Sequence, residues 1–248
     1  MAGHPSLARL AHRPWPLPSR PWFIRQTWHD LLFLHWPVPA GLLRPLVPAP
    51  LLVQEHSGSA WVAVTPFWMS GVRFRTLPPA PVLSRFEELN VRTYVTLGER
   101  PGVWFFSLDA ASWLGVRVAR MLYKLPYVFA RMSQRQEGER IRYRSERLDG
   151  TRFAARYGPT GPVDPSRPGT LPHWLTERYC LYARGGSGEL HRADIHHEPW
   201  PLQPAEAELE RNDMLVVHGL GVRVPPALLH FSRRLEVVIW SLERVTAG

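Results

Sequence analysis

Apolar and polar residues alternate along most of this chain with a period of two. In the stretch SRFEELNVRTYV, Ser84 to Val95, the residues Glu88, Asn90, Arg92 and Tyr94 fall on one side of an extended strand, and Leu89, Val91, Thr93 and Val95 fall on the other. Comparable runs rich in β-branched and aromatic residues recur as TWHDLLFLHWPV, SAWVAVTPFWMSGVRF, GVWFFSLDAA, RIRYRSERL, TRFAARYG, RYCLYAR, LHRADIHHEPW and RLEVVIWSLERV. Proline and glycine punctuate them. TLGERPG reads as a hairpin loop and GGSG as a tight turn between strands, while Pro66 inside its run predicts an edge strand or a bulge.

The period becomes helical from Asp109 to Lys124, with Asp109 as the expected N-cap and Pro126 as the stop. Leu114, Val118, Met121 and Leu125 form one stripe of that helix; Trp113, Arg117, Arg120 and Lys124 form another. GLLRPLVPAP and HWLTER suggest two shorter helical turns. Strands outnumber helices and most connections are too short for parallel crossovers. The expected class is therefore α+β, mostly antiparallel β, with the sheet curled into a barrel and one main helix at about 110–124 packed on it. Residues 1–22 read as a Pro/Arg-rich N-terminal extension and 23–248 as a single barrel domain.

Composition narrows the function classes. The chain has 248 residues, 45% hydrophobic and 21% charged, which is an ordinary globular balance. A single cysteine, Cys180, excludes an internal disulfide. The formal charge is +9, yet the arginines are scattered, with no recognition-helix, zinc-finger or RNA-binding pattern, so no nucleic-acid partner is expected. The apolar run LLFLHWPVPAGLL is short and broken by His35, Pro37 and Pro39, so no membrane association is expected either, and a cytoplasmic protein is the reading.

Familiar catalytic signatures are missing. GGSG lies between strands, where a nucleophile elbow needs a strand followed by a helix. His191, His196 and His197 with Glu198 suggest a metal, but on a strand His196 and His197 point to opposite faces, and no third ligand completes a site. No metal and no cofactor are expected.

Two features carry more weight. The polar row Glu88, Asn90, Arg92, Tyr94 is either a solvated face or the polar side of a ligand cavity. The aromatic crowding of neighbouring strands and the presence of an asparagine favour the cavity. Alternate strand residues lie about 6.6–7 Å apart, so the face presents a row and not a cluster. Arg92 is then the seat for a carboxylate, Asn90 and Tyr94 orient it, and Glu88 shuttles a proton or accepts a hydrogen bond. Trp61, Phe67, Trp68 and Trp104 are candidate dry walls, Trp68 and Trp104 being taken as ligand-binding residues. Second, Lys124 is the only lysine of the chain. A desolvated lysine beside other cations is a nucleophile towards carbonyls, and Arg117 and Arg120 share its stripe. The same stripe is equally the wet side of an amphipathic helix.

The phrases DLLFLHWPVP, LRPLVP, AWVAVTPFWMSGVR, FEELNVRTYV, GVWFFSLDA, LYKLPY, LTERYCLYA, HHEPWPLQ and LLHFS together resemble the YqjF-like family of unknown function, which is grouped with the acetoacetate decarboxylase-like superfamily. The resemblance runs from about Trp28 to Trp240. It implies a cone-shaped antiparallel β-barrel around a cavity, with Glu88 matching the cavity glutamate of the decarboxylases. In those enzymes a lysine forms a Schiff base with a β-keto acid and directly follows a Gly-Tyr-Pro. Here Lys124 precedes Pro126, so aligning the prolines leaves the Schiff-base position without an amine. The expected function is binding of a small anion, a keto acid among the candidates, with imine chemistry if Lys124 faces the cavity. The alternative is a non-catalytic ligand-binding or regulatory barrel.

Overall fold

Long two-periodic runs with few helix-forming stretches leave the backbone to satisfy its hydrogen bonds by strand pairing, and strands dominate the fold. The computed structural model describes residues 4–77 and 85–246, so Ser84, at the head of the polar-row strand, and the first three residues of the N-terminal extension lie outside the described residues. The strands are β1 (Ile24–Val38), β2 (Leu52–Val53), β3 (Glu55–His56), β4 (Ser59–Phe74), β5 (Arg85–Leu97), β6 (Arg100–Ala110), β7 (Tyr127–Glu137), β8 (Arg140–Arg147), β9 (Arg152–Pro159), β10 (Cys180–Arg184), β11 (Leu190–His197), β12 (Gln203–Asn212), β13 (Leu228–Ile239) and β14 (Glu243–Arg244). The helices are α1 (Ala40–Leu43), α2 (Trp113–Tyr123) and α3 (Leu171–Thr176). None of the described helices is long and apolar enough to cross a membrane.

Pairing closes the sheet twice. One circuit runs β6–β7–β8–β9–β12–β13–β1–β4–β5 and returns to β6; a shorter one runs β6–β10–β11–β13–β1–β4–β5 and returns to the same strand. The wall β13–β1–β4–β5–β6 belongs to both circuits and has a core on each face. Leu31, Phe33, Phe67 and Met69 enter the first core; Leu32, Leu34, Val62 and Val64 enter the second. This explains the continuous apolar run of β1, because a strand buried on both faces has no polar side to show. Pairings are antiparallel except β6 with β7 and β6 with β10. The former is the parallel crossover that α2 makes possible, and it is an exception to the expectation of short connections.

Two irregularities set which side chains face inward. Opposite Pro66, which has no N–H to give, β1 runs one residue longer: four residues lie between the partners His29↔Trp68 and Leu34↔Val64, against three on β4. Asp30 takes up the extra residue at a φ of 50°. Pro66 thus marks a bulge in the middle of the sheet and not an edge. The second irregularity skips Phe106 between Val91↔Ser107 and Arg92↔Phe105. It changes the parity of β6, so that Val103, Phe105 and Leu108 share a side.

The main helix departs from expectation at both ends. Asp109 is the penultimate residue of β6, fully buried, and holds Arg147 at 2.7 Å instead of capping a helix. Ser112 is the N-cap, its Oγ accepting from the Gly115 N–H at 3.0 Å. The expected apolar stripe holds in half: Val118 and Leu125 face inward, but Leu114 and Met121 are exposed, and Val116 and Tyr123 are buried instead. Residues 4–22 are strapped to the barrel, with Arg13 Nη1 donating to the Ile195 carbonyl at 2.6 Å and Trp15 Nε1 to Asp194 at 2.8 Å.

Candidate functional site

Between β5, β6, β10, β11 and α2 lies a cavity of about 230 Å³. β5 turns Glu88, Asn90 and Arg92 into it, while Leu89 and Val91 enter the opposite core. All three polar residues are buried, at 3%, 6% and 8% exposure, so the polar row faces a hollow and not bulk water. Apolar side chains such as Leu31, Phe67, Met69, Phe105 and Leu108 make up most of the remaining wall.

Glu88 accepts a hydrogen bond from Tyr127 Oη at 3.0 Å, and its backbone carbonyl accepts from Tyr143 Oη at 2.7 Å, reaching through from the second core. Burial pushes its carboxyl up to about 8 in spite of the hydrogen bonds from Tyr127 and Asn90, so the group is mainly neutral at pH 7. Burial likewise holds the Tyr127 phenol well above its ordinary range, with the Glu88 carboxyl adding to the effect. Asn90 Oδ1 accepts from Thr65 Oγ1, which fixes the amide and turns its N–H groups the other way.

Arg92 does not stand alone. Arg178, just beyond α3, brings a second guanidinium to the same cavity. Its Nε donates to the Trp174 carbonyl at 2.7 Å and its Nη1 to Gln54 Oε1 at 2.6 Å. Burial, reinforced by the positive charge of Arg92, brings it down to about 10, so it stays charged at neutral pH. Both guanidiniums pack against the ring of Tyr94, at 5.8 and 5.1 Å. Neither forms an ion pair with a described carboxylate. Among the described residues, Arg92 Nε and Nη2 and Arg178 Nη2 lack a partner, as do the indole N–H groups of Trp28 and Trp200, which stack at 5.6 Å in the same wall. A buried charge without a counter-charge is costly, and here two are held within one cavity. The wall therefore has donors in excess and demands acceptors.

Several expected residues lie elsewhere. Tyr94 bonds His35 at 2.8 Å and supports the arginines from below; it is not part of the cavity lining. Trp68 follows Phe67 on β4 and so points away, its indole stacked on His29 at 3.9 Å and donating to Asp30 at 2.9 Å. Trp104, between Val103 and Phe105, likewise faces outward, into a separate surface recess. Of the proposed dry walls only Phe67 lines the cavity; Trp61 is buried in the first core beside it. Lys124 ends α2 in a left-handed conformation, φ 51° and ψ 26°, and gives its ammonium to Glu189 Oε1 at 2.8 Å on the outside. The chain's one side-chain amine therefore points away from the cavity, because the helix turns its Gly115, Val118, Ala119 and Leu122 face inward. Among the histidines, His197 lines the cavity with Nδ1 bonded to the Glu198 carbonyl at 2.7 Å, while His196 turns the other way to the Ser6 carbonyl at 2.8 Å. No described cluster of His, Cys, Asp and Glu is arranged to hold a metal.

A family described as "Uncharacterized conserved protein", domain of unknown function 2071, matches residues 25–236. The chain belongs to this family. The chain is 41% identical over 230 residues to the uncharacterized protein YqjF of Bacillus subtilis, covering 92% of this chain and 95% of that one. The fold is shared with solved proteins of much lower identity. Acetoacetate decarboxylase of Legionella pneumophila aligns at 13% identity with a TM-score of 0.65, over 95% of this chain and 93% of that one. The enduracididine biosynthesis enzyme MppR, solved with pyruvate, aligns at 10% identity and 0.63, covering 92% of each. An acetoacetate decarboxylase-like enzyme of Sphingomonas wittichii aligns at 14% and 0.63, over 96% and 98%. The architecture is that of the acetoacetate decarboxylase-like proteins.

Proposed function

We propose that this barrel binds a small organic carboxylate in its interior, seated on Arg92 and Arg178, and that it does so without a lysine imine. The observation that carries this reading is the pair of buried guanidiniums with N–H groups unpaired and no ion-paired carboxylate among the described residues. A carboxylate supplies two acceptor oxygens and one negative charge, and guanidinium binds it in a two-pronged geometry. Glu88, neutral at pH 7, adds no opposing charge and offers a proton donor towards the ligand. The solved relative carrying pyruvate supports an organic acid as the general class. Imine chemistry is left out because the one lysine is engaged by Glu189 outside the cavity.

Calorimetric titration with paired carboxylates and their neutral primary amides tests the reading. Carboxylates bind and the amides do not. Arg92→Met or Arg178→Met weakens carboxylate binding about 10- to 150-fold, the loss of one charge-assisted hydrogen-bonding partner. Borohydride in the presence of keto acids leaves the protein unlabelled. Equal binding of acids and amides, or labelling lost in Lys124→Ala, overturns it.

A further inference from the structure

The cavity has a direction. Along β5, Phe86 is half-buried at its rim, and Glu88, Asn90 and Arg92 follow as buried residues. Leu77, 56% exposed, and the half-buried Arg73 share the rim. At the far end Arg92, Arg178, Thr176 and Leu181 are all buried. Among the described residues the more exposed end of the cavity is therefore beside Phe86 and α2, and the guanidiniums lie at the other end. Above the cavity α2 presents Gly115, which has no side chain, and Ala119, which has only a methyl, leaving room under the helix between Val118 and Leu122.

Size and polarity then restrict what fits. An apolar cavity of about 150 Å³ accommodates benzene, a molecule of about six heavy atoms, so about 230 Å³ holds roughly nine. Pyruvate also has about six heavy atoms and fills only some two-thirds of this space. The unfilled remainder is bounded by apolar side chains nearer the rim, Phe67 and Met69, which pair with Glu88 and Phe86, together with Leu31 and Leu108. A second carboxylate part-way along the ligand would fall in that dry stretch, where its burial is costly, and only one long enough to reach the rim would meet Arg73.

Resting on the carboxylate reading above, we infer that the occupant is a lipophilic monocarboxylic acid of about nine to ten heavy atoms, bound head first, with its carboxylate on Arg92 and Arg178 and its apolar tail beneath α2. Octanoate is a member of this class.

The test is a titration series of straight-chain carboxylates of four, six, eight and ten carbons, together with pyruvate and 1-octanol, on the full chain. Burial of each methylene strengthens binding about four-fold up to eight carbons, after which the gain levels off. Octanol binds at least ten-fold more weakly than octanoate. Ala119→Leu fills the tail end and weakens octanoate ten-fold or more, while butanoate, which also reports a folded site, stays within two-fold. A flat series, pyruvate binding as tightly as octanoate, or Ala119→Leu weakening both chain lengths equally overturns the size and orientation while leaving the carboxylate seat standing. Absence of binding by every acid overturns both.

Discussion

Replacing Glu88 by glutamine removes one titration, and the pH dependence of stability should change by a calculable amount. In the folded chain this carboxyl is held at about 8, against 4.5 as its ordinary value. A folded-state value above the unfolded one means that the folded chain binds more protons between those two pH values. The stability tied to that proton is fully present below about pH 4.5 and is lost as pH rises through 8. At about 1.36 kcal/mol per unit, the total is on the order of 5 kcal/mol, comparable with the whole stability of an ordinary domain. Glutamine keeps an acceptor for Tyr127 and carries no charge at any pH. Glu88→Gln is therefore within about 1 kcal/mol of the parent at pH 5, gains on it by up to about 1.4 kcal/mol per pH unit towards pH 8, and levels off above that. Urea unfolding at pH 5, 6, 7, 8 and 9 measures the difference. Parallel curves for the two proteins would show that Glu88 is ionised in the folded state and would refute the reasoning.

Four further outcomes follow from the same geometry. Carboxylate affinity falls as pH rises through about 8, since ionised Glu88 repels the anion, and binding near that pH takes up a proton; calorimetry in buffers of different ionisation enthalpy detects the uptake, and Glu88→Gln abolishes it. Lys124→Ala leaves carboxylate affinity within two-fold, because the ammonium sits on Glu189 outside the cavity; a larger loss in calorimetry contradicts that placement. Asp109→Asn removes the anion facing buried Arg147 and costs about 3–5 kcal/mol in denaturant unfolding, a loss an exposed pair would not show. Gly102→Ala places a Cβ 2.7 Å from Cys180 Sγ and 2.8 Å from Tyr182 Cε2, and the shift needed to relieve it costs about 1–3 kcal/mol, read as a lower unfolding midpoint.

What was legible from residues alone follows the reach of local rules. The two-residue period of β5 exposed the shared face of Glu88, Asn90 and Arg92, because strand geometry alone decides parity. That Leu89 and Val91 are equally buried was not visible, since only closure of the longer circuit, through β7, β8, β9 and β12, covers that face. Trp68 and Trp104 were taken as wall residues for their aromatic rings, yet each adjoins the cavity-lining Phe67 or Phe105 and must point the other way. Asp109 and Ser112 are both good N-caps, and only pairing of β6 with β7 and the demand of Arg147 for an anion decide between them. Arg178 carried no local signal: it follows a short helix some 86 positions after Arg92 and reaches the site through tertiary packing. The stripe of Trp113, Arg117, Arg120 and Lys124 could be grouped from sequence, but that it is the wet side of α2 is decided by which face packs over the cavity.

The most direct measurement is the electron density of a crystal soaked with octanoate. The account predicts a carboxylate within hydrogen-bonding distance of both Arg92 and Arg178, with the chain running past Asn90 towards α2. An empty cavity at saturating ligand, or a carboxylate lying at the rim with the tail pressed onto the guanidiniums, would contradict it.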